Sequence, residues 1–208
     1  LHVKEVLDRE TVRRVLEAVN RLQERIVSTV DQPPRFVGHY DINYRYDAEL
    51  GISYYRNDTW GTQYIVDDIL NADPAFDVLV NHPLSMKYLR ELIPEAIRIA
   101  GSELRYRHKG GYTATHMGGR LDARNEYRHI GTNALDADGR VSWRTFELLN
   151  VRVLYALEDL PEELGPLCVI PGSHKANYPS PYGIDPREEP GMVVLPMKAG
   201  DALFFTEN

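Results

Sequence analysis

Residues 165–175 read GPLCVIPGSHK, and residues 198–205 read KAGDALFF. Each stretch is a short apolar run beside a turn signal, because a Pro-Gly pair ends the first run and a Gly-Asp pair precedes the second. Short apolar runs bounded by such turns are typical of β-strands, so we expect strands over 166–170 and 201–206. The C-terminal half of the chain is therefore expected to be built from short strands.

The rest of the chain divides into a helical and a β-rich part. Apolar residues at spacings of three and four predict an amphipathic helix over 8–30, capped by Asp8. Asp73-Pro74 and His82-Pro83 begin two further short helices, since proline is favoured at the first helical position. The tyrosine-rich residues 35–66 predict strands and loops. Further strands are predicted over 103–108, 112–117, 147–157 and 192–196.

Helices followed by many short strands predict an α+β fold. The strands are expected to form a double-sheet jelly roll with the helices packed outside, although periodicity alone does not separate this from other β-sandwiches. The length of 208 residues predicts a single domain over residues 1–208.

Composition excludes several functional classes. The net charge is −7, which argues against a nucleic-acid partner, since affinity for phosphate backbones comes from clustered Lys and Arg. No apolar run is long enough to span a membrane. The single cysteine, Cys168, allows no intrachain disulfide, and its apolar surroundings predict a small core residue. Because no targeting segment is visible, a cytoplasmic protein is expected.

Three segments indicate the chemistry. They are Thr115-His116-Met117-Gly118-Gly119, Leu157-Glu158-Asp159 with the following GPLCVIPGSHK run, and the Gly200-Asp201 strand. Their order and spacing resemble the phytanoyl-CoA dioxygenase family of iron(II)/2-oxoglutarate oxygenases, over about residues 73–208. The resemblance implies a double-stranded β-helix (jelly-roll, cupin-like) core with flanking N-terminal helices. It also implies an iron(II) ion held by two histidines and a carboxylate, with open positions for 2-oxoglutarate and O₂.

The carboxylate position departs from the family pattern. The motif reads His116-Met117-Gly118, so the resemblance makes His116 the first metal ligand and leaves glycine where the carboxylate is expected. A small residue at this place resembles the iron/2-oxoglutarate halogenases, in which chloride or bromide binds the metal at the vacated position. We therefore expect halogenation of an aliphatic carbon in a small soluble metabolite.

The chain stops at Asn208, where the resemblance places the second metal histidine and the arginine that pairs with 2-oxoglutarate. We expect both to follow Asn208, so that the present sequence is truncated within the site.

Two alternatives remain open at this stage. A hydroxylase of the same fold would use a displaced carboxylate, for which Asp122 is one candidate and Asp41 of His39-Tyr40-Asp41 a weaker one. A catalytically silent member of the family would act as a binding domain, and absence of the second histidine and the arginine would favour it.

The cofactor pocket is assigned by the same resemblance. It implies contributions to 2-oxoglutarate binding at about Arg105 and about Leu154. Asn150, Arg152 and Leu154 share one strand face by the period of two, and an inward face would serve cofactor or substrate, whereas an outward face would leave a solvated arginine.

The loop after the metal motif carries three arginines and predicts substrate contacts. Arg120, Arg124 and Arg128 recur every four residues, so on a helical turn they would share a face. They predict an anionic or phosphorylated substrate, and an exposed, salt-bridged loop is the alternative. His108 and His174 are interpreted as structural, or in the case of His108 as substrate-facing. The sequence does not predict the oligomeric state.

Overall fold

A computed structural model describes much of the chain, in two compact units. The N-terminal unit comprises Glu5–Thr113, and the C-terminal unit comprises Leu1–Lys4 with Ala114–Asn208. The described residues are 1–29, 45–57, 63–93, 96–111, 151–172 and 189–206, together with the backbone of 120–121 and 127–128.

A long amphipathic helix, α1 (Arg9–Thr29), opens the N-terminal unit. The Asp8 carboxylate accepts a hydrogen bond from the Thr11 amide at 2.7 Å, which satisfies one of the free donors at the helix start and lowers the pKa of Asp8. The buried side chains of the helix lie on one stripe and are Val12, Val15, Ala18, Val19, Leu22 and Ile26. The helix expected over 8–30 is confirmed.

An antiparallel four-stranded sheet forms most of the remaining N-terminal unit. Its strands lie in the order β2 (Arg45–Asp47), β3 (Ile52–Asn57), β4 (Gln63–Asp67) and β5 (Glu103–Arg107). The tight turn between β2 and β3 contains Gly51 at φ 64°, a left-handed conformation that glycine adopts without steric cost.

Helix α1 packs against one face of this sheet. The Tyr106 hydroxyl on β5 donates a hydrogen bond to the carbonyl oxygen of Val19, at 2.7 Å. On β3, the Tyr54 hydroxyl lies 2.6 Å from the Thr29 hydroxyl. We call this side the helix face; its residues are Ile52, Tyr54, Arg56, Tyr64, Val66, Leu104 and Tyr106. Because side chains alternate along a strand, the intervening residues form the opposite side, which we call the polar face. Its residues are Ser53, Tyr55, Gln63, Ile65, Asp67, Glu103, Arg105 and Arg107.

Short helical segments connect β4 to β5. A 3₁₀ turn at Ile69–Asn71 is followed by a second at Pro74–Phe76, which continues into α2 (Asp77–Asn81). The Asp73 carboxylate caps this start by accepting from the Ala75 amide at 2.8 Å. Helix α3 (Pro83–Leu92) follows directly, so both helix starts expected at Asp-Pro and His-Pro pairs are confirmed.

The C-terminal unit is built from short antiparallel strands. A three-stranded sheet has the order β1 (His2–Val3), β11 (Ala202–Phe205) and β8 (Arg152–Tyr155). Two strand pairs accompany it: β6 (Arg120–Leu121) with β7 (Tyr127–Arg128), and β9 (Cys168–Val169) with β10 (Val193–Val194). A 3₁₀ turn at Glu162–Leu164 precedes β9.

The core of the C-terminal unit lies on one face of the paired strands β8 and β11. Ala156, Met197 and Leu203 are buried, and the partly buried residues packed against them are Leu154, Leu160, Leu167, Leu195 and Phe205. Cys168 does not join this core. It is exposed on β9, so the expectation of a core cysteine was wrong, because a two-residue strand gives no alternation from which its facing could be read.

The described elements confirm an α+β arrangement, with one long helix, shorter helices and antiparallel sheets. The expected strand over 112–117 lies outside the described residues. Among the helices described, none combines the length and apolar character needed to cross a bilayer.

Candidate functional site

Two turns recognised in the sequence are joined directly in the structure. The Asp159 carboxylate accepts from the Ala199 amide at 3.0 Å and from the Lys198 ammonium at 2.7 Å. These contacts hold the Leu157-Glu158-Asp159 segment against the turn before β11. Asp159 and the turn at Lys198 and Ala199 are far apart in sequence, but these hydrogen bonds hold them together as one structural element.

Asp201 closes the same turn from within. Its carboxylate is buried, with 3% exposure, and accepts from the Lys198 amide at 2.9 Å. The His2 imidazole Nε2 lies 2.9 Å from the same carboxylate, which fastens β1 to β11. The preceding Gly200 has φ 94°, which an L-residue rarely adopts. The Gly-Asp pair is therefore a structural requirement of this turn. The contact between His2 and Asp201 was not visible in the sequence, because the two residues lie near opposite ends of the chain.

The face of β8 that carries Leu154 is the core face. Leu154 packs against Ala156, Met197 and Leu203, with Leu203 directly opposite on β11. Arg152 lies two residues earlier on the same face, and its residue is exposed. Leu154 therefore faces the core of the C-terminal unit, whereas Arg152 lies at the exposed end of the same strand face. Asn150 lies outside the described residues.

The Arg105 guanidinium is hydrogen-bonded to Glu103, which lies on the same strand. Its Nε contacts Glu103, and its Nη2 donates to Glu103 Oε2 at 3.2 Å. Partial burial lowers the pKa of Arg105, but the Glu103 carboxylate outweighs it and the pKa lies above its ordinary value. A 2-oxoglutarate carboxylate at this position would compete with Glu103 for the guanidinium.

Charged side chains lie around Arg105 on the polar face of β4 and β5. Asp67 lies opposite Glu103. Burial of Asp67 is the main cause that raises the pKa of its carboxyl, and the negative charge of Glu103 raises it further. Burial and the positive charge of Arg105 lower the pKa of Arg107. Gln63 lies opposite Arg107 and is buried. Sequence reasoning missed Gln63, although an amide at the start of an aromatic and apolar strand was a usable signal.

Arg120 and Arg128 are register partners on β6 and β7. The helical-turn interpretation of these two residues was therefore wrong, because the chain reverses between the two strands and brings the positions opposite each other. Arg124 lies outside the described residues, as do His116, Gly118, Asp122 and His174.

His108 has a structural contact. Its ring meets the ring of Tyr64 edge to face, with centroids 5.7 Å apart and an interplanar angle of 64°. This geometry is a favourable aromatic arrangement and supports the structural reading of His108.

The described residues by themselves supply no metal centre. Among them, no group of three or more His, Cys, Asp or Glu side chains is placed to hold a metal ion. The expected ligand His116 and the neighbouring Gly118 are outside the described part of the chain, so the ligand assignment depends on the sequence motif alone.

Solved structures of two other proteins have a similar fold. HygX from Streptomyces hygroscopicus, solved with nickel, 2-oxoglutarate and hygromycin B, matches with a TM-score of 0.64 at 20% identity, over 100% of this chain and 72% of its own. The epimerase SnoN, solved with Fe3+, alpha ketoglutarate and nogalamycin RO, matches with a TM-score of 0.52 at 21% identity, over 100% of this chain and 69% of its own. At these identities the likeness shows the fold.

Sequence comparison identifies the family. No curated protein sequence matches this chain. The family model described as phytanoyl-CoA dioxygenase (PhyH) matches residues 1–208, the whole of the chain. The chain therefore belongs to the phytanoyl-CoA dioxygenase family of iron/2-oxoglutarate-dependent enzymes.

Proposed function

We propose that this protein is an iron(II)/2-oxoglutarate-dependent halogenase that chlorinates or brominates an aliphatic carbon of a small molecule. The observation that carries the proposal is Gly118, which stands where the His-x-carboxylate motif supplies its acidic ligand. Membership of the dioxygenase family supports the use of iron, 2-oxoglutarate and O₂. The similar structures contain 2-oxoglutarate with hygromycin B, or alpha ketoglutarate with nogalamycin RO, which supports the same cofactor and a small-molecule substrate.

Each residue of the proposed site has a simple task. His116 supplies one imidazole nitrogen to the metal. Gly118 has no side chain and leaves room for a halide beside His116. The metal, when bound, supplies the oxidising chemistry with 2-oxoglutarate and O₂. The family resemblance implies a second metal histidine and an arginine that pairs with 2-oxoglutarate in addition to these residues.

The cofactor pocket is part of the proposal. Leu154 provides an apolar wall from the core face of β8, and Arg152 lies at the accessible end of that face. Asn150 and Arg105 complete the expected set. We also propose that the strands close into a double-stranded β-helix, which is the core that the family resemblance implies.

A hydroxylase is the second candidate, because the matching family is named for dioxygenases. Asp122 directly follows β6 in sequence and is the displaced carboxylate that this function requires. An anionic or phosphorylated substrate is compatible with either function and is supported by Arg120 and Arg128, which are register partners, with Arg124 between them in sequence. A reducing cytoplasmic setting, which suits iron(II), belongs to the same proposal.

Chloride titration tests the halogenase without a known substrate. The protein is mixed with iron(II) and 2-oxoglutarate without oxygen, and the visible charge-transfer band is recorded as chloride is added. A saturable shift of the band is expected, because chloride would enter the coordination sphere. A band that is present but indifferent to chloride would contradict the halogenase and favour the hydroxylase. No band would favour a silent domain.

A substitution at Gly118 sharpens the same test. In Gly118→Asp, the new carboxylate should occupy the halide position and abolish the chloride response. Gly118→Ala is the matched control, because alanine adds bulk but no ligand atom, and it should retain a response. A chloride response that persists unchanged in Gly118→Asp would count against the assignment.

A further inference from the structure

The contact between Glu103 and Arg105 has the geometry of a bound carboxylate ligand. The Arg105 Nε donates to Glu103 Oε1, and the Arg105 Nη2 donates to Glu103 Oε2 at 3.2 Å. Two N–H groups of one guanidinium therefore contact both oxygens of one carboxylate. Arginine recognises the carboxylates of ligands by this same bidentate arrangement. Glu103 thus occupies Arg105 in the way that a carboxylate ligand would.

Both partners of this contact are accessible from solvent. The Arg105 side chain is 33% exposed, and the Glu103 side chain is 30% exposed. Ion pairs with this degree of exposure are weak, because water and salt screen the two charges. Both residues also lie on β5, whose backbone is held in register with β4. An incoming carboxylate can therefore replace Glu103 by a rotation of side chains, without disturbing the sheet.

Glu103 has a stronger influence on Arg105 than the other carboxylate of the polar face. Burial lowers the pKa of Arg105, and the hydrogen bond and charge of Glu103 outweigh this effect. Asp67, directly opposite Glu103 on β4, also raises the pKa of Arg105, but its charge contributes least. The positive charge of the guanidinium is therefore neutralised mainly by one neighbour. Removal of that neighbour should change what Arg105 can bind.

We propose that Glu103 competes internally with 2-oxoglutarate for Arg105 and so lowers the affinity of the protein for this cosubstrate. The ligand exchanges one carboxylate for another on the same guanidinium, so it gains only the difference between two similar contacts. The apparent affinity falls with the fraction of molecules in which Arg105 is free to receive the ligand. In the absence of ligand, Glu103 keeps a partly buried guanidinium paired.

This inference rests on the proposed function, because it takes Arg105 to be a residue that binds 2-oxoglutarate. It adds Glu103 as a positioning residue, which acts through Arg105 and does not touch the cosubstrate. The opposite role is a support that orients Arg105 for the ligand. The two roles predict changes of affinity in opposite directions when the charge of Glu103 is removed.

Binding of 2-oxoglutarate to the full chain measures the competition. Each protein is loaded with iron(II) without oxygen, and the dissociation constant is obtained from the visible charge-transfer band as 2-oxoglutarate is added. Glu103→Gln keeps the size of the side chain and removes its charge, which weakens the contact with Arg105. This variant should bind 2-oxoglutarate about two- to fivefold more tightly, which is the scale of an exposed ion pair.

Two further variants show whether Glu103 acts through Arg105. Asp67→Asn is the matched control, because it removes a carboxylate from the same face and leaves the contact between Glu103 and Arg105 in place. It should tighten binding less than Glu103→Gln does. Arg105→Gln should weaken binding, and most of the gain from Glu103→Gln should be lost when the two substitutions are combined.

The inference is overturned if Glu103→Gln binds 2-oxoglutarate no more tightly than the unaltered chain, which would assign Glu103 the supporting role. It is also overturned if Asp67→Asn gives an equal gain, or if the full gain persists in the Arg105→Gln background. These results would leave the charge-transfer band and its response to chloride intact, so the proposed function would stand. Absence of the band in the unaltered chain would contradict the proposed function, and this inference with it.

Discussion

The two faces of the four-stranded sheet differ in what they bury. On the helix face, Ile52 and Val66 are fully buried, and the Tyr54 and Tyr106 hydroxyls are hydrogen-bonded to α1. On the polar face, Gln63 is equally buried yet carries an unsatisfied oxygen among the described residues.

This contrast predicts different effects of substitution on stability. A buried apolar residue with close neighbours contributes to the free energy of unfolding. A buried polar atom without a partner reduces that free energy. Substitutions of buried residues on the helix face should therefore lower stability more than substitutions on the polar face.

The largest effect is expected at Ile52. In Ile52→Ala, the lost apolar burial and the cavity should lower the free energy of unfolding by about 2–5 kcal/mol. Denaturant unfolding measures this loss, provided that the free energy of unfolding falls with denaturant concentration at the same slope in both proteins. Ser53→Ala, one residue along on the polar face, is the control and should change it by less than about 0.5 kcal/mol. Equal losses in both variants would show that the faces do not differ as described.

A moderate effect is expected at Tyr106. Tyr106→Phe removes the hydrogen bond to the Val19 carbonyl and should lower the free energy of unfolding by about 0.5–1.5 kcal/mol at pH 7. Tyr46→Phe, which alters an exposed ring, should have almost no effect.

The same hydroxyl predicts a dependence on alkaline pH. Burial raises the pKa of Tyr106, so the folded protein holds this proton where the unfolded chain loses it. The contribution of Tyr106 is complete below about pH 10 and is lost as pH rises towards the folded pKa. The decline in stability above pH 10 should be shallower in Tyr106→Phe, and an identical decline would contradict this assignment.

The smallest effect is expected at the edge of the helix face. Arg25 on α1 contacts Asp47 at 2.5 Å and Glu49 at 2.8 Å, and both pairs are partly exposed. Arg25→Ala should lower the free energy of unfolding by about 0.2–1 kcal/mol at pH 7. Arg14→Ala, an exposed position on the same helix, is the control.

The difference in the free energy of unfolding between Arg25→Ala and the unaltered chain should disappear at low pH. Hydrogen bonding from Arg25 lowers the pKa of Asp47, so its contribution is present above about pH 4 and is lost as pH falls through the lower folded pKa. Denaturation curves at pH 7 and at low pH check this. If Arg25→Ala instead remains less stable than the unaltered chain at low pH, that result would assign the loss in the free energy of unfolding to packing of the Arg25 side-chain stem and not to the ion pair.

Local features were predictable because they depend on neighbours in sequence. The apolar stripe of α1 and the caps at Asp8 and Asp73 follow from spacing and residue type. The family was recognisable from its turn motifs, and the family model confirms it. The metal ligand His116 and the halide position Gly118 stay predictions.

Several features of the candidate site could not be predicted from the sequence. The exposure of Cys168 and the pairing of Arg120 with Arg128 depend on which strands meet. The position of Gln63 in an aromatic and apolar strand was visible in the sequence, but its burial without a partner was not.

The sequence by itself determined the helices, several of the strand positions and the family, because periodicity, capping and turn chemistry act over a few residues. Only the tertiary structure decided that His2 meets Asp201, that Asp159 holds the turn at Lys198, and that Gln63 is buried opposite Arg107. These contacts join residues far apart in the chain. Their partners are selected by the packing of whole strands, which no local pattern specifies.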